Sequence, residues 1–111
     1  MKFAVSSSEL LKGLLTVSKA IPSKATEAIL EDYLFSLSGD LLEVTASDKE
    51  ITMKTSIAVD NKEGDGRIAV PARQLNDLLR ELPDQPLTIR TISENQFECA
   101  WASGESSLPY F

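Results

Sequence analysis

The chain of 111 residues has no histidine and a single cysteine, Cys99. Without histidine it lacks the side chain that most often serves as general base and metal ligand near neutral pH. One cysteine forms neither an internal disulfide nor a thiolate cage for zinc. Cys99 stands in the alternating run Phe97-Glu98-Cys99-Ala100-Trp101, where it reads as a small hydrophobe of a strand rather than a reactive thiol. The apolar runs are only a few residues long, far short of the ~20 that span a bilayer. One lysine followed by Phe3-Ala4-Val5 is too little for a signal peptide, so the cytoplasm is the expected location. There is no P-loop, dinucleotide fingerprint or nucleophile elbow. An excess of positive charge is missing too. The net charge is −6 and the pI about 4.6, the reverse of what a free-standing DNA binder carries. Any nucleic-acid role has to rest on a local basic face or on geometry.

What is present is an ordinary globular composition, 42% hydrophobic and 25% charged, at a length that fits one domain. The chain also echoes itself at an offset of 65 residues. Phe3-Ala4-Val5 leads into the leucine series Leu10, Leu11, Leu14, Leu15, and Ile68-Ala69-Val70 leads into Leu75, Leu78, Leu79, Leu82. At that offset Ala4 meets Ala69, Val5 meets Val70, Leu10 meets Leu75, Leu14 meets Leu79 and Val17 meets Leu82. Each half therefore reads as a strand, an amphipathic helix and further strands. The fold class this implies is α+β, a duplicated strand-helix-strands unit with two helices packed on an antiparallel-rich sheet.

Helix one has a strong start. Ser6 and Glu9 have capping-box spacing, and Val5 and Leu10 occupy the positions of a hydrophobic staple. Its apolar side runs through Leu10, Leu14 and Val17 to Ile21, and Pro22-Ser23 ends it. Residues 28–37 and 41–46 read as two strands joined by Ser38-Gly39-Asp40. Residues 50–59 alternate, with Ile51, Met53, Ile57 and Val59 on one face. Residues 60–66 read as a polar loop, after which Gly66 to Val70 restarts the strand pattern. Helix two begins near Pro71 and stops at Pro83, and strands near 87–92, 96–102 and 106–111 complete the chain.

The carboxylates offer little chemistry. The acidic stretch from Asp60 to Asp65 has Lys62 where a calcium loop needs an oxygen at its third position, and Pro71 where it needs a bidentate glutamate. Asp48 and Glu50 share a face of a strand or turn, but nothing drives their pKa values apart. Glu31 and Asp32 are adjacent and point to opposite faces. No metal site, cofactor or catalytic group is expected. A carboxylate hydrolase remains a reading to be tested at Asp48.

The basic residues are more informative. Lys12 and Lys19 are seven apart on helix one, nearly two full turns, and Arg73 and Arg80 repeat that spacing on helix two. At ~100° per residue both pairs point away from the leucine stripes. Side by side, the two outer faces would present four cations on an acidic protein, with Lys24 extending the patch. Solvated helix faces carry Lys and Arg in any case, and Asp77 and Glu81 lie nearby, so spacing alone leaves both readings open. The chain closes on Leu108-Pro109-Tyr110-Phe111, an apolar end where solvated residues are the rule, and one domain of a longer protein is expected.

Met1-Lys2-Phe3, Leu10-Leu11-Lys12, Ile29-Leu30, Asp48-x-Glu50, Val70-Pro71-Ala72-Arg73 and the Leu82-Pro83 stop, in that order, resemble the first domain of the bacterial sliding clamps, the beta subunits of DNA polymerase III. The resemblance runs from Met1 to about Gly104 and departs at Thr26-Glu27-Ala28-Ile29-Leu30, where that family usually has threonine-leucine-proline-isoleucine-leucine. It implies that residues 1–111 are the first of three similar domains, and that two chains close head to tail into a ring around duplex DNA. In such a ring Lys12, Lys19, Lys24, Arg73 and Arg80 fall on or near the surface facing DNA. The edge strand bearing Leu108 and Tyr110 is a candidate for the contact with the second subunit. Those two side chains are otherwise no more than the end of the domain. Polymerase and clamp-loader subunits would dock on domains not contained in this chain. A ring holds DNA by topology, so an acidic body with a thin cationic lining suits sequence-blind sliding, whereas every tight phosphate contact would add a salt-dependent grip. The competing reading is a stand-alone acidic α+β module that binds another protein and no DNA.

Overall fold

In a computed structural model, residues 1–20, 32–47 and 51–110 are described. Strand β1 (Lys2–Ser6) alternates as its sequence does, burying Phe3 and Val5. Ser6 then leaves the strand in an extended conformation, and its hydroxyl accepts the Glu9 N–H at 3.2 Å, satisfying one of the donors a helix start leaves orphaned. Helix α1 (Ser7–Val17) buries Leu10, Leu14 and Val17 on one side. The expected continuation to Ile21 does not hold. The Ser18 hydroxyl donates to the Leu15 carbonyl at 2.9 Å, and Ser18–Ala20 tightens into a 3-10 turn. Ile21, Pro22 and the expected beginning of the next strand at residue 28 lie outside the described residues.

The next strands are β2 (Asp32–Ser38), β3 (Leu41–Ser47) and β4 (Thr52–Ala58), a meander burying Tyr33, Phe35, Leu37, Leu42, Val44, Ala46 and Ile57. The β2–β3 hairpin turns on Gly39, whose φ of +59° suits the residue that opens a two-residue loop. The expected alternation of residues 50–59 holds at its end, where Ile57 and Val59 are buried, and fades at its start, where Ile51 is exposed.

The stretch 60–66 is not simply a polar loop. Asp60–Glu63 forms β5, an edge strand antiparallel to β1. Its side chains are mostly exposed, so no apolar alternation marks it, and main-chain pairing alone makes it a strand. After it come β6 (Gly66–Pro71), α2 (Ala72–Glu81), β7 (Pro86–Thr91), β8 (Gln96–Trp101) and β9 (Gly104–Pro109). Helix α2 buries Leu75 and Leu79, with Leu78 and Leu82 partly buried beside them. It ends as Leu82 turns extended ahead of Pro83, the conformation a following proline favours.

Two sheets result, in the orders β5-β1-β7-β8-β9 and β4-β3-β2-β6. The pairing is reciprocal. β1, which precedes α1, pairs with β7, the strand after α2, while β6, which precedes α2, pairs with β2. Neither half completes a sheet by itself. One hydrophobic core lies between the sheets and under the helices, with Phe3, Tyr33, Phe35 and Phe97 as its largest fully buried side chains. The helices pack against each other and against the four-stranded sheet, α1 over β3 and β4 and α2 over β2 and β6. A Cβ added to Gly13 would come within 2.4 Å of Ile57 Cδ1, so α1 approaches β4 at glycine distance.

The segment after α2 also closes the start of α1. The buried Ser7 hydroxyl donates to the Pro83 carbonyl at 3.2 Å and accepts the Gln85 N–H at 3.0 Å, while the Ser7 N–H reaches the Gln85 carbonyl at 2.8 Å. The Ser8 N–H points at the Asp84 carboxylate, 3.4 Å away. An acidic group there also complements the positive end of the helix.

Candidate nucleic-acid interface

Opposed placement of leucines and cations on both helices decides which faces meet solvent. Because Leu10, Leu14, Leu75 and Leu79 are buried, Lys12, Lys19, Arg73 and Arg80 are exposed on the opposite side. Among the described residues neither Lys12 nor Lys19 is paired with a carboxylate. Arg80 lies 3.7 Å from Asp77 one helical turn back, with both side chains more than half exposed. A pair so solvated is worth little and leaves Arg80 free to exchange partners. Lys24 lies outside the described residues.

The surface between these cations is mixed. Along α1 an open groove is lined by Ser8, Leu11, Lys12, Leu15, Thr16 and Lys19, with Met53 of β4 as its far wall. A second cleft, where α1 meets β4 and the start of β5, has Lys12 at its rim together with the carboxylates of Glu9 and Asp60. The cationic line is thin and interrupted by acids. Among the described residues such a face is suited to weak attraction of a polyanion.

One feature of this region has little signature in the sequence. Tyr33 of β2 is fully buried, and its hydroxyl lies 3.0 Å from Asn76 Oδ1 on α2 and 3.4 Å from the Leu14 carbonyl on α1. Burial pushes the phenol pKa above its ordinary value, against the smaller opposing effects of the Asn76 hydrogen bond and the Arg80 charge. In the sequence Tyr33 reads as one more alternating strand residue, and nothing in Asn76 marks it as a partner.

The other candidates fall differently. Cys99 is buried, and desolvation, reinforced by Glu98, pushes its thiol up to about 12, which keeps it protonated and inert near neutral pH. Asp48, Glu50 and Glu31 lie outside the described residues. Asp65, in the stretch weighed as a calcium loop, is paired with the ammonium of Lys62. Among the described residues no three His, Cys, Asp or Glu side chains gather closely enough to hold a metal. No helix among them is long and apolar enough to cross a membrane.

Leu108 and Tyr110 are half-buried against the domain's own core. Leu108 stands opposite Phe97 in the β8–β9 ladder. The Tyr110 hydroxyl donates to the Ser93 carbonyl at 2.6 Å, and its N–H donates to the Asn95 carbonyl at 3.0 Å. Both side chains are thus held in place, while β9 ends its sheet among the described residues.

Comparison with known proteins points one way. The family described as DNA polymerase III beta subunit, N-terminal domain, matches residues 1–109. The beta sliding clamp of Vibrio harveyi is 33% identical over 87 residues, which cover 78% of this chain and 60% of that protein. The beta sliding clamp of Synechocystis sp. is 35% identical over 91 residues, covering 80% of this chain and 23% of that one. Among solved structures, a putative DNA polymerase III beta subunit from Eubacterium rectale superposes on the whole chain with a TM-score of 0.92 at 32% identity, and this chain spans 30% of it. A sliding clamp from Pseudomonas aeruginosa gives the same TM-score of 0.92 at 27% identity over the whole chain, again 30% of the larger protein.

Proposed function

The chain belongs to the DNA polymerase III beta subunit family, matching its N-terminal domain, and from that premise we propose that it forms one sector of a DNA sliding clamp. The observation that carries this is the match over residues 1–109, joined to a fold that exposes Lys12 on α1, Lys19 in the 3-10 turn after it, and Arg73 and Arg80 on α2. The whole protein encircles duplex DNA as a head-to-tail ring of two chains in the cytoplasm. It keeps the replicative polymerase on its template and has no catalytic step of its own. This domain is the first of three in each chain, and polymerase and loader bind elsewhere.

Within the ring Lys12, Lys19, Lys24, Arg73 and Arg80 face the duplex. The net charge of −6 supports that arrangement. An acidic body with a sparse cationic lining is held by topology, and weak phosphate contacts let it slide. The β9 edge, backed by Leu108 and Tyr110, meets the other subunit. An exposed sheet edge there offers main-chain groups for pairing with a partner strand.

Arg73 adds a physical argument. It sits in the first turn of α2, which has no acidic residue and no side-chain cap from Pro71. A cation at a helix N-terminus opposes the macrodipole and costs about 0.3–1 kcal/mol. Arg73→Gln is expected to raise the stability of the domain by about that amount while reducing the salt slope of DNA association by roughly one.

The decisive test is retention of the whole protein on nicked circular duplex. A topological clamp stays on the circle in salt that dissolves ordinary phosphate contacts, and runs off once the circle is cut. Retention that depends on salt and ignores cutting would overturn the proposal. The isolated domain is expected to bind duplex DNA no better than ~10⁻⁴ M.

A further inference from the structure

Equivalent positions in the two halves can be matched through the sheets. Val5 and Val70 are equivalent, and they face Leu87 and Tyr33 respectively, so Tyr33 is the counterpart of Leu87. At the offset of 65 residues Asn76 is the counterpart of Leu11. The positions equivalent to Tyr33 and Asn76 thus hold leucines, Leu87 and Leu11, where the other half has a hydrogen-bond contact at 3.0 Å. The duplicated plan alone therefore does not dictate polar groups at these two positions.

A buried hydrogen bond earns its place through direction, which dispersion contacts lack. Tyr33 has one proton and two acceptors within reach, Asn76 Oδ1 at 3.0 Å and the Leu14 carbonyl at 3.4 Å. The phenol proton goes to the nearer of the two, Asn76 Oδ1, with the Leu14 carbonyl as the longer second acceptor. Leu14 lies in the last turn of α1, where carbonyls run short of helical partners. The chain of bonds then runs from α2 through β2 to α1.

We propose that Tyr33 and Asn76 are a positioning pair that fixes α1 against α2 and so sets the spacing of their exposed cations. The pairing itself stands on the geometry alone; its use in holding Lys12, Lys19, Arg73 and Arg80 toward a duplex rests on the sliding-clamp reading. Arg80 follows Asn76 by one helical turn on α2, so the pair and one of those cations share a helix.

The test removes both polar partners and keeps their shapes: Tyr33→Phe with Asn76→Leu leaves no orphaned polar side chain and is nearly neutral for stability. Spin labels go on Thr16→Cys in α1 and Gln74→Cys in α2, both exposed, while the buried Cys99 stays unlabelled. The expected result is an unchanged melting temperature with a broadened or displaced α1–α2 distance distribution. An unchanged, equally narrow distribution overturns the proposal.

Should the double variant fail to fold, Tyr33→Phe serves instead, since it keeps the ring and loses only the hydroxyl. Amide exchange in α2 and in the last turn of α1 should then speed up by roughly tenfold, about what losing one buried hydrogen bond allows, with β8 unaffected. Equal acceleration throughout the chain overturns the pair as a positioning device. Lys12→Glu separates the two layers. If it leaves the salt dependence of the whole protein's association with duplex DNA unchanged, the DNA-facing assignment of α1 fails while the pairing stands.

Discussion

The two halves of the molecule share a plan and solve it with different residues. Before the helices they correspond at an offset of 65 residues; beyond them Leu87 corresponds to Tyr33 and the offset falls to 54. The missing length is in the connection after α2, which passes from Glu81 to Pro86 in four residues. That short connection is what allows Pro83, Asp84 and Gln85 to close the start of α1. Helix α1 is capped twice, by Ser6 within its own half and by Asp84 from the other, whereas α2 begins at Pro71 with no side-chain cap. The outer faces differ as well. At matched positions α1 has Lys12 and the exposed Leu15 where α2 has Asp77 and Arg80, an ion pair. Duplication preserved the buried leucines and left the solvated positions and helix ends to diverge, because only the former are constrained by a close-packed interior.

The reciprocal strand pairing makes the strongest claim about this comparison, that the unequal halves form one cooperative unit. Phe35→Ala in the first half and Ile89→Ala in the second remove matched, fully buried side chains, and each should cost about 2–5 kcal/mol. In urea, the fluorescence of Trp101 and the far-ultraviolet circular dichroism should lose structure at the same midpoint in both variants. Two separated transitions would break the halves apart.

Gly13 and its counterpart Leu78 sharpen the contrast between the helices. Gly13→Val drives a branched side chain toward Ile57 and should destabilise the domain by about 1–3 kcal/mol. Leu78→Val, on a half-buried site, should cost appreciably less. Denaturant midpoints of the two variants measure the difference, and equal losses would mean that α1 is no closer to its sheet than α2.

Smallest is the effect at the caps. Ser6→Ala should cost about 1 kcal/mol, read from the same midpoints. Pro71→Ala should cost less than that, since no side-chain hydrogen bond is lost.

Much of this was legible without coordinates. The start of α1 followed from Ser6 and Glu9, and the Leu82-Pro83 stop of α2 was visible, because helix ends are set by local chemistry. The strands of the two meanders followed from alternation, which works wherever one face of a sheet is buried. Strand β5 did not follow, because an edge strand with both faces in water carries no such pattern. The end of α1 was placed too late, because the Ser18 hydroxyl competes for a carbonyl that a count of apolar positions does not register. Of the candidate site, the exposure of Lys12, Lys19, Arg73 and Arg80 could be read from helical phase. Asp77 beside Arg80 was visible too, whereas the gathering of Glu9 and Asp60 around Lys12, and the Tyr33–Asn76 contact, could not be read.

By itself the sequence determined the duplication, the two amphipathic helices and the side of each that meets water, since these depend on periodicity within a single element. Tertiary structure alone decided that each half's first strand completes the other half's sheet, that a segment after α2 caps α1, and that one tyrosine touches both helices. Those contacts join residues such as Ser7 and Gln85, or Tyr33 and Asn76, which are far apart along the chain. Hydrogen-bond partners at that separation are chosen by how the whole core packs, and no local pattern records them.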